Sequence, residues 1–367
     1  RLISIDALAD IPHTLGIWRD FCAQTEVPYF VSAEWMEFWL PRLAPGTMLR
    51  LILVESEDIF RAGFFLGVST IRQRRLWPTR AICLNVSGQD EQDVFIEYNT
   101  IVCPTGRPPD FWQVVGAMPL EWEEWGLPGL DASSFPGCCL SQSNASYCVT
   151  IVRDDPSPYV DLERVRRSGN LLALLRSNSR QQLRHALKRV GEEYGQLAVR
   201  AAGDLHHALE IFEELAALHS TTWAARGESG AFAAPQRLQF HRDWIAERFA
   251  HGEMQLLRVT AGQRTLACMM NVVYRGRVYS YQTGIQYGPL AALKPGYLAH
   301  LQAIEYNADL GHQSYDFLAG DSRYKRNLST DANRLIWARI QKPRLKFYLE
   351  NHLRAVVRRW RKRRQVR

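Results

Sequence analysis

The stretch YDFLAGDSRYKRNLST, residues 315–330, decides how this chain is read. Tyr315, Phe317 and Leu318 surround a lone Asp316, as in a short buried strand. The run breaks at Ala319-Gly320, and Asp321, Tyr324 and Lys325 then stand within five residues. An acid, a phenol and an ammonium group at the mouth of a strand can move protons and hold an anion or a carbonyl oxygen.

Upstream, the runs MQLLRVTA (254–261), TLACMMNVVY (265–274) and RVYSYQTGI (277–285) are apolar or alternating. Gly-containing turns separate them, which predicts an antiparallel meander. The loop GPLAALKPG (288–296) leads into a helix over 297–310 that Gly311 stops. A helix start offers unpaired N–H groups and the positive end of a dipole. With Lys294, Pro295 and Gly296 there, the loop reads either as a pyrophosphate clamp or as an ordinary strand-to-helix connection.

Farther upstream, 169–193 has helical spacing in Leu171, Leu175, Leu183, Leu187 and Val190. Arg176, Arg180, Arg184 and Lys188 stand four apart on it, a face that either meets anions or is solvated. A strand over 196–202 and helices over 205–223 and 235–250 follow. In LHSTTWAARGESGAF (218–232), His219 and Trp223 lie one turn apart before a polar bend at Arg226, so they line a pocket or simply pack.

The first half repeats this pattern more loosely. Helices are predicted over 12–24, 33–43 and 111–125, and strands over 49–56, 60–71, 81–86, 94–98 and 147–152. FIEYN (95–99) gathers Glu97, Tyr98 and Asn99 at a strand end, facing either a cleft or solvent. DDPSPY (154–159) reads as a linker. The expected domains are therefore 1–153, 154–342 and a basic helix or tail over 343–367.

Composition fits that division. A chain of 367 residues suggests two domains, and 46% hydrophobic with 23% charged residues is globular. Eleven Trp imply aromatic clusters or grooves, and a net charge of +7 makes an anionic partner plausible. After Glu350 there is no acid, so the tail either contacts an anionic membrane surface or solubilises. Seven Cys without a zinc-spaced set, no signal-peptide h-region and no run long enough to span a bilayer predict a reduced, cytoplasmic protein without metal.

The residues Asp316, Phe317, Gly320, Asp321, Tyr324 and Lys325 form D-F-x-x-G-D-x-x-Y-K, and His219, Trp223, Arg226 and Gly227 form H-x-x-x-W-x-x-R-G. Together with the helix over 176–189, these resemble the CelD-type, FemAB-like branch of the GNAT acyltransferase superfamily, whose members occur near bacterial exopolysaccharide genes. The resemblance covers most of 1–340. It implies a mixed α/β fold of two GNAT-like domains, each a mostly antiparallel sheet flanked by helices. It also implies that the strands holding RVYSYQTGI and SYDFLAG part around an acyl thioester.

Acyl-CoA is then the expected donor, lying beside Gln282 and Thr283 and clamped by Lys294, Pro295, Gly296, Tyr297 and Leu298. An amine of a sugar, amino acid or metabolite is the expected acceptor. The base would be Asp321 or Glu97, the acid Tyr324 or Tyr281, and Lys325 would hold the oxyanion or bind an acidic acceptor. His219, Trp223, Arg226, Tyr98 and Asn99 would contact the acceptor, with Asp316 a hydrogen-bond hub beside it. The loop departs from the family's Q/R-x-x-G-x-G/A pattern, so aminoacyl-tRNA, the donor of FemAB relatives, stands as an alternative. A third reading is a non-catalytic partner of a polysaccharide machine.

Overall fold

A computed structural model describes residues 1–71, 77–89, 96–104, 106–141 and 146–353. The chain divides into two units: residues 1–154 with the described part of 334–367, and residues 155–333.

The first unit opens with β1 (Leu2–Asp6), α1 (Ile11–Ala23) and α2 (Ala33–Trp39). Asp10 caps α1 by accepting from the His13 N–H, and Ser32 caps α2 by accepting from Trp35. Leu15, Trp18, Phe21 and Cys22 recur at helical spacing and are buried. β2 (Met48–Ser56) and β3 (Ile59–Ile71) form a hairpin. Its two turn residues, Glu57 and Asp58, have φ of 56° and 57°, the left-handed pair a two-residue hairpin requires. β4 (Thr79–Leu84), α3 (Phe111–Gly116), β5 (Glu124–Asp131) and β6 (Cys148–Asp161) follow.

The second unit contains the end of β6, then α4 (Leu162–Ser168), α5 (Leu171–Leu174), α6 (Ser177–Glu193), β7 (Leu197–Ala201), α7 (Leu205–Ala224) and α8 (Pro235–Arg248). The meander β8 (Met254–Ala261), β9 (Arg264–Tyr274) and β10 (Arg277–Ile285) comes next. After it stand α9 (Pro295–Asp309), β11 (Ser314–Asp316), α10 (Arg323–Leu328) and β12 (Asp331–Gln341).

Each unit lays out six sheet strands on the same plan. In the first the order is β1-β2-β3-β4-β5-β12, and in the second β7-β8-β9-β10-β11-β6. All pairs within these sets for which a register is given are antiparallel except β4 with β5 and β10 with β11, the fourth and fifth strands of each. The first unit takes its sixth strand from the far end of the chain: residues 335–341 of β12 pair with β5. In the second unit α9 packs Leu298, Leu301 and Ile304 onto one face of the sheet. On the other face α7 comes so near that a Cβ on Gly284 would lie 2.4 Å from the Leu215 carbonyl oxygen.

Several expectations are corrected. The helix over 111–125 ends at Gly116, and Trp125 is instead a fully buried strand residue that packs on Phe64 and Phe111. The linker over 154–159 is strand: β6 runs through it unbroken, its two prolines notwithstanding. The helix over 169–193 breaks at Leu175-Arg176 into α5 and α6. Residues 334–341, assigned to the second domain from sequence, are paired with β5 in the first unit. No strand forms over 96–98, and Val94 and Phe95 fall outside the described residues. Of the tail, 345–353 is helical, and the arginines from Arg354 onward lie outside the described residues.

Candidate functional site: a wedge between two parallel strands

β10 and β11 pair only over Arg277–Ser314, Val278–Tyr315 and Tyr279–Asp316. β11 then stops, while β10 continues to Ile285. The register between β10 and β9 shifts at Ser280/Gln282, so Tyr281 is bulged out of the ladder. Past Tyr279 no strand among the described residues pairs with β10 on the β11 side, to which β10 turns part of its backbone amides. Such amides, fixed in direction, suit a carbonyl on which negative charge develops.

The β11 side of the opening is held rigidly. Asp316, 1% exposed, accepts from Ser157 Oγ at 3.1 Å and from the Leu318 N–H at 2.8 Å. The chain then turns through Leu318 at φ 61°. Lys325 reaches back from α10 and donates to the carbonyls of Leu318 (3.0 Å) and Ala319 (2.8 Å). Asp316 and Lys325 are therefore the two ends of a lock on the loop 316–320. Lys325 is engaged by carbonyls rather than offered to an oxyanion, which corrects its expected role.

Asp321 and Tyr324 are corrected too. Asp321 is exposed, just before α10, and pairs with Arg326 of that helix, so it faces solvent and not the wedge. Tyr324 stacks on His300 at 5.0 Å and meets Phe317 and Tyr297 edge-on. Burial pushes its phenol up to about 12, which makes it a poor proton donor to a thiolate. The Tyr281 ring leans on Trp244 and His241 at 5.1 and 5.7 Å. Gln282 and Thr283 are half-buried on β10 beyond the parting, where donor contacts were expected.

The helix start is narrower than a phosphate clamp. Pro295 has no N–H, and the N–H groups of Tyr297 and Leu298 both bond to the Lys294 carbonyl at 3.0 and 3.3 Å. The Gly296 N–H meets no backbone carbonyl among the described residues. Gly296 is not a cradle: a Cβ there would lie 2.9 Å from Ile285 Cδ1, so the glycine serves helix-to-strand packing. Leu298 is fully buried in the core. Lys294, at φ 54°, spends one of its three donors on Gln182 Oε1 at 2.7 Å, and Tyr297 accepts from Asn327 at 3.1 Å. The basic face of α6 is likewise reduced. Arg180 turns back to the Leu175 carbonyl and Lys188 pairs with Glu192, leaving Arg176 and Arg184 exposed.

His219 is 5% exposed and packs on Phe232 and Trp223, with Arg226 over the Trp223 ring at 5.4 Å. Burial, with Arg226 adding to it, lowers its pKa. His241 belongs to the same aromatic cluster, and burial drives it down to about 4. This cluster reads as packing.

A second parting exists in the first unit, and it is filled. β4 and β5 pair over Ala81–Glu124, Ile82–Trp125 and Cys83–Gly126, then separate. Asn99 sits between them: its side-chain amide donates to the carbonyls of Leu84 (3.0 Å) and Pro128 (2.9 Å), and its backbone N–H to that of Gly129 (2.9 Å). Its Oδ1 accepts from Asn85 at 2.8 Å. Tyr98 beside it is buried at φ 58°. Thus Tyr98 and Asn99 face neither a cleft nor solvent, and Phe95 lies outside the described residues. Tyr98 and Asn99 form a plug, and Glu97 lies at its entry, half-buried.

The sequence reading missed His300 and Ser280. Tyr315 donates to Ser280 Oγ at 3.1 Å, and His300 Nδ1 lies 3.1 Å from the Tyr315 oxygen. His300 is 2% exposed, and burial, with Lys325 adding to it, lowers its pKa to about 3. One signal was present: a histidine on the buried stripe of the helix after the clamp loop.

The thiols offer no second centre. Burial raises Cys139 to about 11 and Cys103 to about 12, far from thiolate character. Among the described residues no group of three or more His, Cys, Asp or Glu could hold a metal ion, and no helix is long and apolar enough to cross a membrane.

Residues 177–326 match the family model of an acetyltransferase (GNAT) domain. The structure is similar to that of FemX, with 10% identity, a TM-score of 0.55 and coverage of 92% of this chain and 96% of that one. It is also similar to the C-terminal domain of an Agrobacterium fabrum protein named as a putative lysylphosphatidylglycerol synthetase (12% identity, TM-score 0.52, coverage 91% and 93%). A conserved protein of unknown function from Bacteroides thetaiotaomicron is comparable (9% identity, TM-score 0.52, coverage 93% and 100%). Among curated protein sequences none matches. The second unit thus carries a GNAT-type domain over residues 177–326, and the fold of the chain is like that of FemX.

Proposed function

We propose that the protein is an N-acyltransferase that works in the β10/β11 wedge, taking an acyl group from an acyl-CoA and passing it to an amine of a small molecule such as a sugar or amino acid. The observation that carries this reading is the parting itself: two parallel strands paired over three residues, a bulge at Tyr281, and no strand among the described residues paired with β10 on the β11 side beyond Tyr279. The thioester carbonyl would accept from those amides. The pantetheine chain would run along β10 past Gln282 and Thr283, and the phosphates would meet the Gly296 N–H and Lys294. Because Asp321 and Lys325 are engaged elsewhere, the strand amides and the positioning they impose carry the chemistry.

The aminoacyl-tRNA alternative has less to rest on, because in the α6 ladder Arg180 turns back to the Leu175 carbonyl and Lys188 pairs with Glu192. Thermal melting separates the two. Acetyl-CoA, longer acyl-CoAs or free coenzyme A at saturation should raise the melting temperature by mass action. If all three leave it flat and a tRNA binds with a steep salt dependence, the donor is aminoacyl-tRNA. A null response to both would overturn the transferase reading.

A further inference from the structure

Ser280, Tyr315 and His300 form a directed chain of hydrogen bonds whose open end lies at the wedge. Tyr315, fully buried, donates to Ser280 Oγ at 3.1 Å. Its oxygen is then left to accept, and His300 Nδ1 at 3.1 Å is the group positioned to donate to it. Having accepted from Tyr315, Ser280 must turn its own hydroxyl hydrogen elsewhere. Ser280 is half-buried, whereas the other two members are deep in the core. It is also the first residue of β10 beyond the last strand pair, Tyr279–Asp316, and it stands next to the bulge. The chain thus runs from the interior outward and ends in one O–H where the strands part.

We propose that Ser280 is a side-chain oxyanion donor of the transfer reaction, and that Tyr315 and His300 are positioning residues that fix the direction of its proton. This inference rests on the transferase reading above. In the step it serves, the lone pair of the acceptor amine forms a C–N bond at the thioester carbonyl. The carbonyl π pair moves onto oxygen, and that oxygen accepts from the Ser280 hydroxyl and from a β10 amide. Collapse restores the C=O bond and breaks the C–S bond. The sulfur leaves with the electron pair and is protonated by the proton the amine gives up, so an amide and a free thiol result. Ser280 keeps its own proton throughout and acts as a fixed dipole. A donor of this kind stabilises charge that exists only in the transition state, so its loss lowers kcat and leaves KM nearly unchanged.

The test uses the full chain, acetyl-CoA as donor and a panel of amines including glucosamine, read by release of free thiol. Ser280→Ala is expected to lower kcat by about 100-fold, the usual cost of one such donor. KM for acetyl-CoA should be held within about twofold, since that binding does not use the hydroxyl. Ser280→Thr, which keeps the hydroxyl, should recover most of the rate. Tyr315→Phe should lower kcat by a smaller factor, and the double variant Ser280→Ala/Tyr315→Phe should be no slower than Ser280→Ala alone, because the two act as one unit. Melting curves confirm that each variant is folded. A folded Ser280→Ala with wild-type kcat, or an additive double variant, overturns the inference and leaves the transferase reading standing. No thiol release by the wild type with any amine would instead sink the acyl-CoA reading, and this inference with it.

Discussion

Asp321 and Lys325 show how adjacent charged residues acquire different work. Asp321 lies outside the loop and pairs with Arg326 of the following helix, while Lys325 four residues on points inward and ties two carbonyls. Asp321→Asn should therefore keep activity within about twofold of wild type in a thiol-release assay, since an exposed ion pair contributes little. A hundredfold loss would restore Asp321 as the base. The buried histidines make a separate prediction. Burial holds His241 at about 4 and His300 at about 3, below the ordinary value of 6.5. The unfolded chain then binds more protons than the folded one between those values and 6.5, so this part of the stability is intact above pH 6.5 and is lost as pH falls. By pH 5 the loss is about 2 kcal/mol for each histidine. Urea unfolding at pH 7.5 and pH 5 measures it, and His241→Phe should remove about 2 kcal/mol of the difference. Equal stability at both values would contradict the burial argument.

At the scale of elements, what the sequence revealed followed periodicity. The meander of β8, β9 and β10 and the helices α1, α7 and α9 were legible because one repeat dominates each. β5 was not: its Gly126, Pro128 and Gly129 hide a strand whose Gly129 admits the 96–99 segment, for a Cβ there would lie 2.4 Å from the Ile96 carbonyl oxygen. The 154–159 segment failed for a related reason, since its prolines argue for a linker and sequence alone does not say which of their neighbours pair. At the site, the pairing of RVYSYQTGI with SYDFLAG followed from the family resemblance and not from the residues alone, and the partners of Lys325, Asp321 and Asn99 were not legible, because each depends on which way a side chain turns. The two glycines flanking the wedge should respond differently. Gly284→Ala drives a methyl into the α7 backbone and should cost at least about 2 kcal/mol. Gly296→Ala meets only the tip of Ile285, which can rotate aside, and should cost less than about 1 kcal/mol. Chemical denaturation of both variants reads this, and equal costs would refute the contrast.

At the scale of the whole molecule, the chain carries the same six-strand plan twice and differs in what occupies the gap between its fourth and fifth strands. In the first unit Asn99 and its neighbours close that gap from within, and in the second it is left to the β10 amides. The first unit also depends on β12, which places Ile336, Ala338 and Ile340 in its core. Ending the chain after Asn333 removes two buried isoleucines, worth about 3–6 kcal/mol together, from a fold whose total margin is about 5–15 kcal/mol. The near-ultraviolet circular dichroism of the buried tryptophans Trp18, Trp35 and Trp125 should then collapse, and an unchanged spectrum would show that β12 is dispensable. The central claim is that the β10/β11 gap holds an activated acyl group, and hydrogen exchange along β10 tests it most directly. With acetyl-CoA at saturation, or in a parallel sample with an aminoacyl-tRNA, the amides of 280–285 should exchange more slowly while those of 81–84 in the plugged unit keep their rates. Unaltered exchange at 280–285 with both donors would contradict the account.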